Sequence, residues 1–413
     1  MNKIQEKDNG KFSFKSFFRL VGKIGGKNRI EGGAHEKLRN KKILGVAGDL
    51  GGWHALAVVL AKLADSGAKV FVIFTGPSRR AFEEQNLEID SRFSVLSDDP
   101  SLRASHPRGA WAKQSHEWSL VIVAPSQSKD GNDETVETVN KIKGGVPICV
   151  IEDMWGSAVP FLRKIKPQLL KNVSVCVVDQ FAKKMLVEST GIKGNKISVT
   201  GGPQFDRVLE LKKNWDKQRK LIRENLADDC LVYLVAGGVN GTGEILSLVK
   251  AVLRPQDTVI FRQHSRSTMK DKTQTENEIV AIKQAGGKFL DIDKSIALYT
   301  ESLLAGADFV LSGFSTTNRY AILLGIVGTI YVGTKSFKKD LWTEKKLKLP
   351  PEVEYGAGWY VKNTAEMQAV VEEVTSPVVG RRRNQLVKKQ QKIAQFCDGK
   401  AVERVVEVIE GII

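Results

Sequence analysis

The chain has 413 residues, too long for a single compact core, so two domains are expected. A composition of 42% hydrophobic and 27% charged residues excludes disorder over most of its length. With 63 basic against 47 acidic residues the net charge is +16, which suits anionic partners such as phosphates, nucleic acid or a membrane surface.

Residues 1–42 form a basic leader with twelve basic and four acidic residues. Within it, 11–26 (KFSFKSFFRLVGKIGG) has a helical amphipathic pattern. Phe14, Phe17, Phe18 and Val21 share one face, and Lys11, Lys15, Arg19 and Lys23 run along another. Lysine and arginine opposite phenylalanine suit a helix lying on an anionic bilayer. A disordered or docking leader is the alternative. Residues 43–203 then alternate short apolar runs with amphipathic stretches. The predicted strands are KKILGVAG, AKVFVIF, LVIVA, VPICVIE, VSVCVVD and KISVTG. Residues 204–228 read as a charged helical connector. Residues 229–375 repeat the alternation, with CLVYLVAG, DTVIFR, KFLDI, DFVLS, VGTIYVG and GWYV as strands. Residues 376–413 read as a basic C-terminal helix. Arg381, Arg382, Arg383, Lys388, Lys389 and Lys392 fall there within twelve residues holding no acid. A solvated helix face is the expectation for that run. No aromatic residues interleave with these cations as in a nucleic-acid recognition motif, so no nucleic acid partner is expected.

The strand runs are apolar along their whole length, as in parallel strands buried on both faces. Two successive series of βα units imply an α/β protein with two doubly wound, Rossmann-like parallel-sheet domains facing a cleft. Ligands of such sheets bind at the carboxyl ends of the strands. Cys149, Cys176 and Cys230 sit inside strand-like runs, and Cys397 makes no CxxC pair. Buried free thiols are expected, with no zinc site and no disulfide framework. The uncharged stretch Tyr320 to Thr334 has 15 residues and is broken by Gly325 and Gly328, whereas a membrane span needs about 18–20. No secretory signal is expected either, because no continuous apolar run follows the first lysines.

Four strand-to-helix loops and one acidic pair carry the chemistry. Gly48-Asp49-Leu50-Gly51-Gly52-Trp53-His54 follows the first strand and opens a helix, where glycines admit a close ligand and free N–H groups attract anions. It is not GxGxxG, so dinucleotide binding is not indicated. A plain strand–helix turn is the bland account. Gly237-Gly238-Val239-Asn240-Gly241-Thr242-Gly243 has four glycines in seven residues, more than a turn needs, and suits a diphosphate. Arg262, His264 and Arg266 follow the strand DTVIF, where the arginines could neutralise phosphate; a solvated basic loop is the alternative. Ser315, Thr316 and Thr317 open another helix as an anion-friendly loop, or as an ordinary cap. Glu152 and Asp153 end the strand VPICVI, where carboxylates could bind ligand hydroxyls or act as a base, or simply cap. Asp291-Ile292-Asp293 matches a metal-binding DxD by chance, and His106 and His116 read as surface residues.

On these residues the chain resembles the GT-B superfamily. AGDLGGWHALAVVLAKLADSGAKVFVIFTG and YLVAGGVNGTGEILSLVKAVL resemble the peptidoglycan N-acetylglucosaminyltransferases. VIFRQHSRST and ADFVLSGFSTTNRYAILLGIVGTIYV resemble segments of the non-hydrolysing UDP-N-acetylglucosamine 2-epimerases and the CDP-glycerol glycerophosphotransferases. VVDQFAKKMLVESTGIKGNKISVTGGPQFDRV is similar to the interdomain segment of all three groups. The resemblance spans roughly residues 42–375 and is specific to the superfamily.

It implies a glycosyltransferase using a nucleoside-diphosphate sugar, UDP-sugars favoured, on an envelope polysaccharide or lipid-linked acceptor. The epimerase, the CDP-alcohol phosphotransferase and a non-catalytic GT-B-like binding protein are the alternatives. Gly237, Gly238, Asn240, Gly241, Thr242, Arg262, His264, Arg266, Ser315, Thr316, Thr317 and Arg319 would form the donor site. Gly48, Gly51, Gly52 and Glu152 would face the acceptor. His54 and Asp153 would be catalytic, His54 as general base. No metal and no cofactor are expected, since helix dipoles and basic side chains stabilise the departing diphosphate. The expected location is cytoplasmic, peripheral on the inner membrane face through residues 11–26. One departure stands out: the family places a ribose-binding glutamate where this chain reads Asn318-Arg319-Tyr320-Ala321.

Overall fold

The computed structural model describes residues 36–85, 89–96, 118–126, 129–264, 267–290, 300–338, 347–395 and 397–413. The amphipathic leader 11–26, His106, His116, Arg266 and the Asp291–Asp293 pair lie outside the described residues. The chain divides into two compact units, one running to Asp206 and including Gly399–Ile413, the other Arg207–Asp398.

The first unit is a seven-stranded parallel sheet. Its strands are β1 Lys42–Ala47, β2 Lys69–Phe74, β3 Phe93–Leu96, β4 Leu120–Ala124, β5 Ile148–Ile151, β6 Val173–Val177 and β7 Ile197–Val199. Their order is β3-β2-β1-β4-β5-β6-β7. The helices are α1 Leu50–Asp65, α2 Gly76–Gln85, α3 Lys129–Asn140, α4 Ala158–Lys164, α5 Pro167–Leu170 and α6 Gln180–Thr190. Every residue of β4 and β5 is buried, which explains runs that are apolar throughout. β3 (FSVL) was not among the expected strands. It is a half-exposed edge strand with a single buried residue, Phe93, and carries no long apolar run. Cys149 and Cys176 are buried with sulfurs 3.8 Å apart, Cys230 is buried and Cys397 half-buried, and among the described residues no disulfide joins any of them.

The second unit begins with the helical connector, α7 Val208–Lys213 and α8 Trp215–Arg223. Arg219 and Arg223 of α8 both bind the Asp308 carboxylate, at 3.0 and 2.8 Å. The sheet has six parallel strands: β8 Val232–Ala236, β9 Thr258–Arg262, β10 Lys288–Phe289, β11 Phe309–Ser312, β12 Gly328–Val332 and β13 Trp359–Val361. Their order is β10-β9-β8-β11-β12-β13. The helices are α9 Thr242–Lys250, α10 Met269–Gln284, α11 Thr300–Leu303, α12 Thr316–Leu324, α13 Pro351–Tyr355, α14 Thr364–Thr375 and α15 Arg381–Ala394.

The end of the chain forms two helices rather than one. α15 belongs to the second unit; α16, Ala401–Ile412, belongs to the first. Gly399, at φ +78°, separates them. Val405, Val406 and Ile409 of α16 enter the first unit's core beside Leu56 and Cys176. The Asp206 carboxylate accepts from the N–H groups of Ala401 and Val402 at 3.1 and 2.9 Å, capping α16. Among the described residues no helix is long and apolar enough to cross a membrane.

Candidate functional site

In the first unit, the ends of β1, β2 and β4 are level, since Ala47 pairs with Phe74 and with Ala124. The loops that follow therefore emerge side by side. Gly48 is pressed against the next loop: a Cβ there would stand 2.3 Å from the backbone nitrogen of Ser126. Only glycine fits. Asp49 caps α1, its Oδ1 accepting from Gly52 N at 2.9 Å. Gly52 lies against the end of β4, at Ala124, and Gly51 lies against Asp153, whose Oδ2 would be 2.7 Å from an added Cβ. The glycine turn and the acidic loop after β5 are thus one cluster. Gln204 Nε2 donates to the Asp153 carbonyl at 2.7 Å and fixes that loop. Glu152 is 0% exposed and Asp153 3%, so both carboxyls sit beneath the surface. His54 is half-buried on the second turn of α1. Ser126 and Gln204 escaped the sequence reading because no motif marks them.

In the second unit the sequence-expected loops after β8 and β9 are locked together. Gly237 N donates to Arg262 O at 2.8 Å, and a Cβ on Gly237 would meet that oxygen at 2.9 Å. Gly241 adopts φ +83°, and a Cβ there would stand 2.6 Å from Thr334 Oγ1. This is a left-handed position that glycine alone takes without strain. Thr242 Oγ1 accepts from Gly238 N at 3.2 Å, while Asn240 Oδ1 accepts from Thr268 Oγ1 at 3.0 Å. Ser267 Oγ donates to Gly238 O at 2.9 Å, and Gln263 Nε2 in turn donates to Ser267 Oγ. Arg262 is half-buried at the end of β9, and no acid among the described residues pairs with it. His264 is half-buried two residues on.

One donor at the start of α9 is already used. Thr242 N donates to Asp271 Oδ1 at 2.9 Å, and Asp271 is 4% exposed. Asp271 was not among the expected site residues. Its signal is Thr268-Met269-Lys270-Asp271 at the start of α10, where the Thr268 hydroxyl accepts from Asp271 N at 3.2 Å and the Asp271 carboxylate turns to Thr242 N rather than back to Thr268 N.

Ser315 caps α12, its hydroxyl accepting from Thr317 N at 3.2 Å. Thr316 is half-buried and Thr317 is buried. β11 adjoins β8, so this loop leaves the same end of the sheet as Gly237–Gly241. Arg319 is different. Its side chain is 6% exposed and stands 3.7 Å from Glu352 Oε1 of α13, itself 1% exposed. A phosphate at Arg319 would have to displace that carboxylate. Burial, together with the Glu352 charge, pushes the neighbouring Tyr331 phenol well above its ordinary pKa.

No protein-family model matches the chain, and no curated protein matches its sequence. Solved structures do match in fold. HepE from Anabaena, solved with UDP and glucose, is 16% identical at a TM-score of 0.56, over 90% of this chain and 99% of that one. The UDP-GlcNAc 2-epimerase from Methanocaldococcus jannaschii is 16% identical at 0.51, over 89% and 99%. A variant of the wall teichoic acid polymerase TagF soaked with CDPG is 11% identical at 0.54, over 91% and 90%. The fold is GT-B: two Rossmann-like parallel-sheet units, as the glycine loops and strand runs implied.

Proposed function

We propose that the chain transfers a sugar from a nucleoside-diphosphate donor, a UDP-sugar first among them, to an envelope polysaccharide or lipid-linked acceptor. The observation that carries this reading is the Gly237–Gly241 loop, held by backbone contact against the end of β9 beside an arginine with no acid partner among the described residues. Backbone that admits only glycine, a helix start and a spare guanidinium together suit a diphosphate. HepE, a protein of the same fold, was solved with UDP and glucose, which supports this choice of donor class.

In this reading the diphosphate lies at the loops after β8, β9 and β11 of the second unit. Arg262 and the remaining N–H groups offset the charge that develops as the sugar–phosphate bond breaks, without a metal. The acceptor binds at the β1 loop of the first unit. His54 takes the proton from its attacking hydroxyl, a role worth about 10²–10⁴-fold. Attachment to an anionic membrane through residues 11–26 belongs to the same proposal. Liposome flotation of the chain lacking residues 1–26 tests it, with lost flotation as the expected result.

The catalytic claim is tested with His54→Ala. Sugar transfer should fall by about 10²-fold or more while UDP binding persists. Undiminished transfer would remove His54 as the base. A second reading, nucleotide-sugar binding without transfer, draws on Arg319: it stands where the resemblance expects a ribose-binding glutamate and is committed to Glu352. UDP binding with no turnover on any acceptor would select that reading.

A further inference from the structure

The basic run of α15 does more than solvate a helix face. Leu386 and Gln390 are its buried anchors; Gln390 Nε2 donates to Ile326 O and Ala357 O, both at 3.1 Å. On that seating Arg382, Lys389 and Lys392 line an open cavity of about 660 Å³ beside the start of β13. Lys388 completes the wall, and Trp359 and Tyr360 supply the floor. The volume is that of a small-molecule site, for which about 300–1,000 Å³ is usual.

The electrostatics are one-sided. Four cations line the cavity and no aspartate or glutamate does. Among the described residues none of the four has an ion-pair partner. Two are held in place by rings instead. Arg382 Cζ lies 4.6 Å from the centre of the Trp359 ring, and Lys389 Nζ lies 4.5 Å from that of Tyr355. A guanidinium stacked on indole keeps its N–H edge free and already ordered, so little entropy is lost when it binds an anion. Like charges gathered without neutralisation also repel, and a bound polyanion relieves that repulsion.

The cavity is separate from the donor loops. Those loops follow the carboxyl ends of β8, β9 and β11. Gly356, Gly358 and Trp359 stand at the amino end of β13, the edge strand of the same parallel sheet and thus at its opposite end.

We infer that this cavity is a second anion site, taking a soluble ligand with two or more adjacent phosphate groups. Its concavity favours a discrete ligand over a flat bilayer, and its count of cations favours a diphosphate over a single phosphate. The inference does not rest on the donor-site reading.

Titration calorimetry of the full chain with sodium pyrophosphate tests it. The Lys388→Gln/Lys389→Gln/Lys392→Gln variant should lose pyrophosphate affinity by about tenfold or more, since each lost charge-assisted contact is a sizeable fraction of the binding energy. Gly241→Ala, whose added Cβ crowds the donor loop against Thr334, should keep the part of the pyrophosphate affinity that the lysine variant loses. Lys388→Gln/Lys392→Gln, which disturbs no ring contact, gives the same comparison if the triple variant fails to fold. Equal pyrophosphate affinity in variant and unaltered chain overturns the inference. So does a variant that keeps pyrophosphate but loses phosphatidylglycerol vesicles, which would make the cluster a membrane-facing patch. If Gly241→Ala weakens neither UDP nor pyrophosphate while the lysine variant weakens both, the donor reading fails and this one stands.

Discussion

The Asp271 carboxylate receives the backbone N–H of Thr242 at 2.9 Å, so a negative charge already occupies part of the helix start that follows the Gly237–Gly241 loop. A buried donor left without its acceptor costs about 1–3 kcal/mol. Asp271→Ala should lose stability of that order in urea unfolding. Asp271→Asn keeps an acceptor and removes the charge. It should be closer to the parent in stability and should show a larger thermal shift with UDP, because a phosphate no longer competes with a carboxylate. A smaller shift in Asp271→Asn would mean that Asp271 helps to organise the nucleotide site.

Asp206 fastens the last helix. Its carboxylate receives both Ala401 N and Val402 N across nearly two hundred residues of sequence. Asp206→Ala should cost about 0.5–2 kcal/mol, the usual price of a lost N-cap. Hydrogen exchange should accelerate in 401–412 more than in the strands of either sheet. Uniform acceleration would indicate that α16 has no separate attachment.

The pair Arg319–Glu352 is buried on both sides. Removing one partner takes a compensating charge away from the other, so Glu352→Leu alone should destabilise, by up to about 3–5 kcal/mol. Arg319→Met/Glu352→Leu should recover most of that loss in chemical unfolding. If the double variant were no better than the single, the two side chains would not be acting as a pair.

Buried tyrosines set an alkaline limit. Burial pushes the phenols of Tyr233, Tyr320 and Tyr331 above their ordinary values; Asp257 adds to the effect at Tyr233, and Glu352 at Tyr331. Their folded pKa values are raised, so the unfolded chain loses these protons first. The stability they hold is complete below the unfolded value, about 10, and is lost as pH rises beyond it. Ultraviolet titration should show these three phenols ionising only together with unfolding. Reversible ionisation of all the tyrosines in the folded chain would exclude that burial.

Much of the fold was legible because buried parallel strands carry unbroken apolar runs: VIFR, VLS and IYV each announced a strand that the structure contains. β3 was not, because Ser94 is exposed and the run is only four residues long. The C-terminal break at Gly399 was missed because charge rather than apolar spacing dominated the reading of 376–413. At the candidate site, glycines were readable where a neighbouring backbone admits no side chain, as at Gly48 beside Ser126 and Gly237 beside Arg262. Partners fixed only by the tertiary fold were not readable. Glu352 follows Arg319 by more than thirty residues, and no local pattern joins them.

The claim that the second unit holds a nucleoside diphosphate is tested most directly by a thermal-shift panel of UDP, CDP, GDP, dTDP and CMP, with and without magnesium. A ligand bound only by the folded chain raises Tm with its concentration. The expected result is a shift largest with one nucleoside diphosphate, UDP foremost, that is the same with and without magnesium and falls in Gly241→Ala, where a Cβ at φ +83° would collide with Thr334. No shift with any of the five would refute the donor site and leave Gly237–Gly241 as a structural turn.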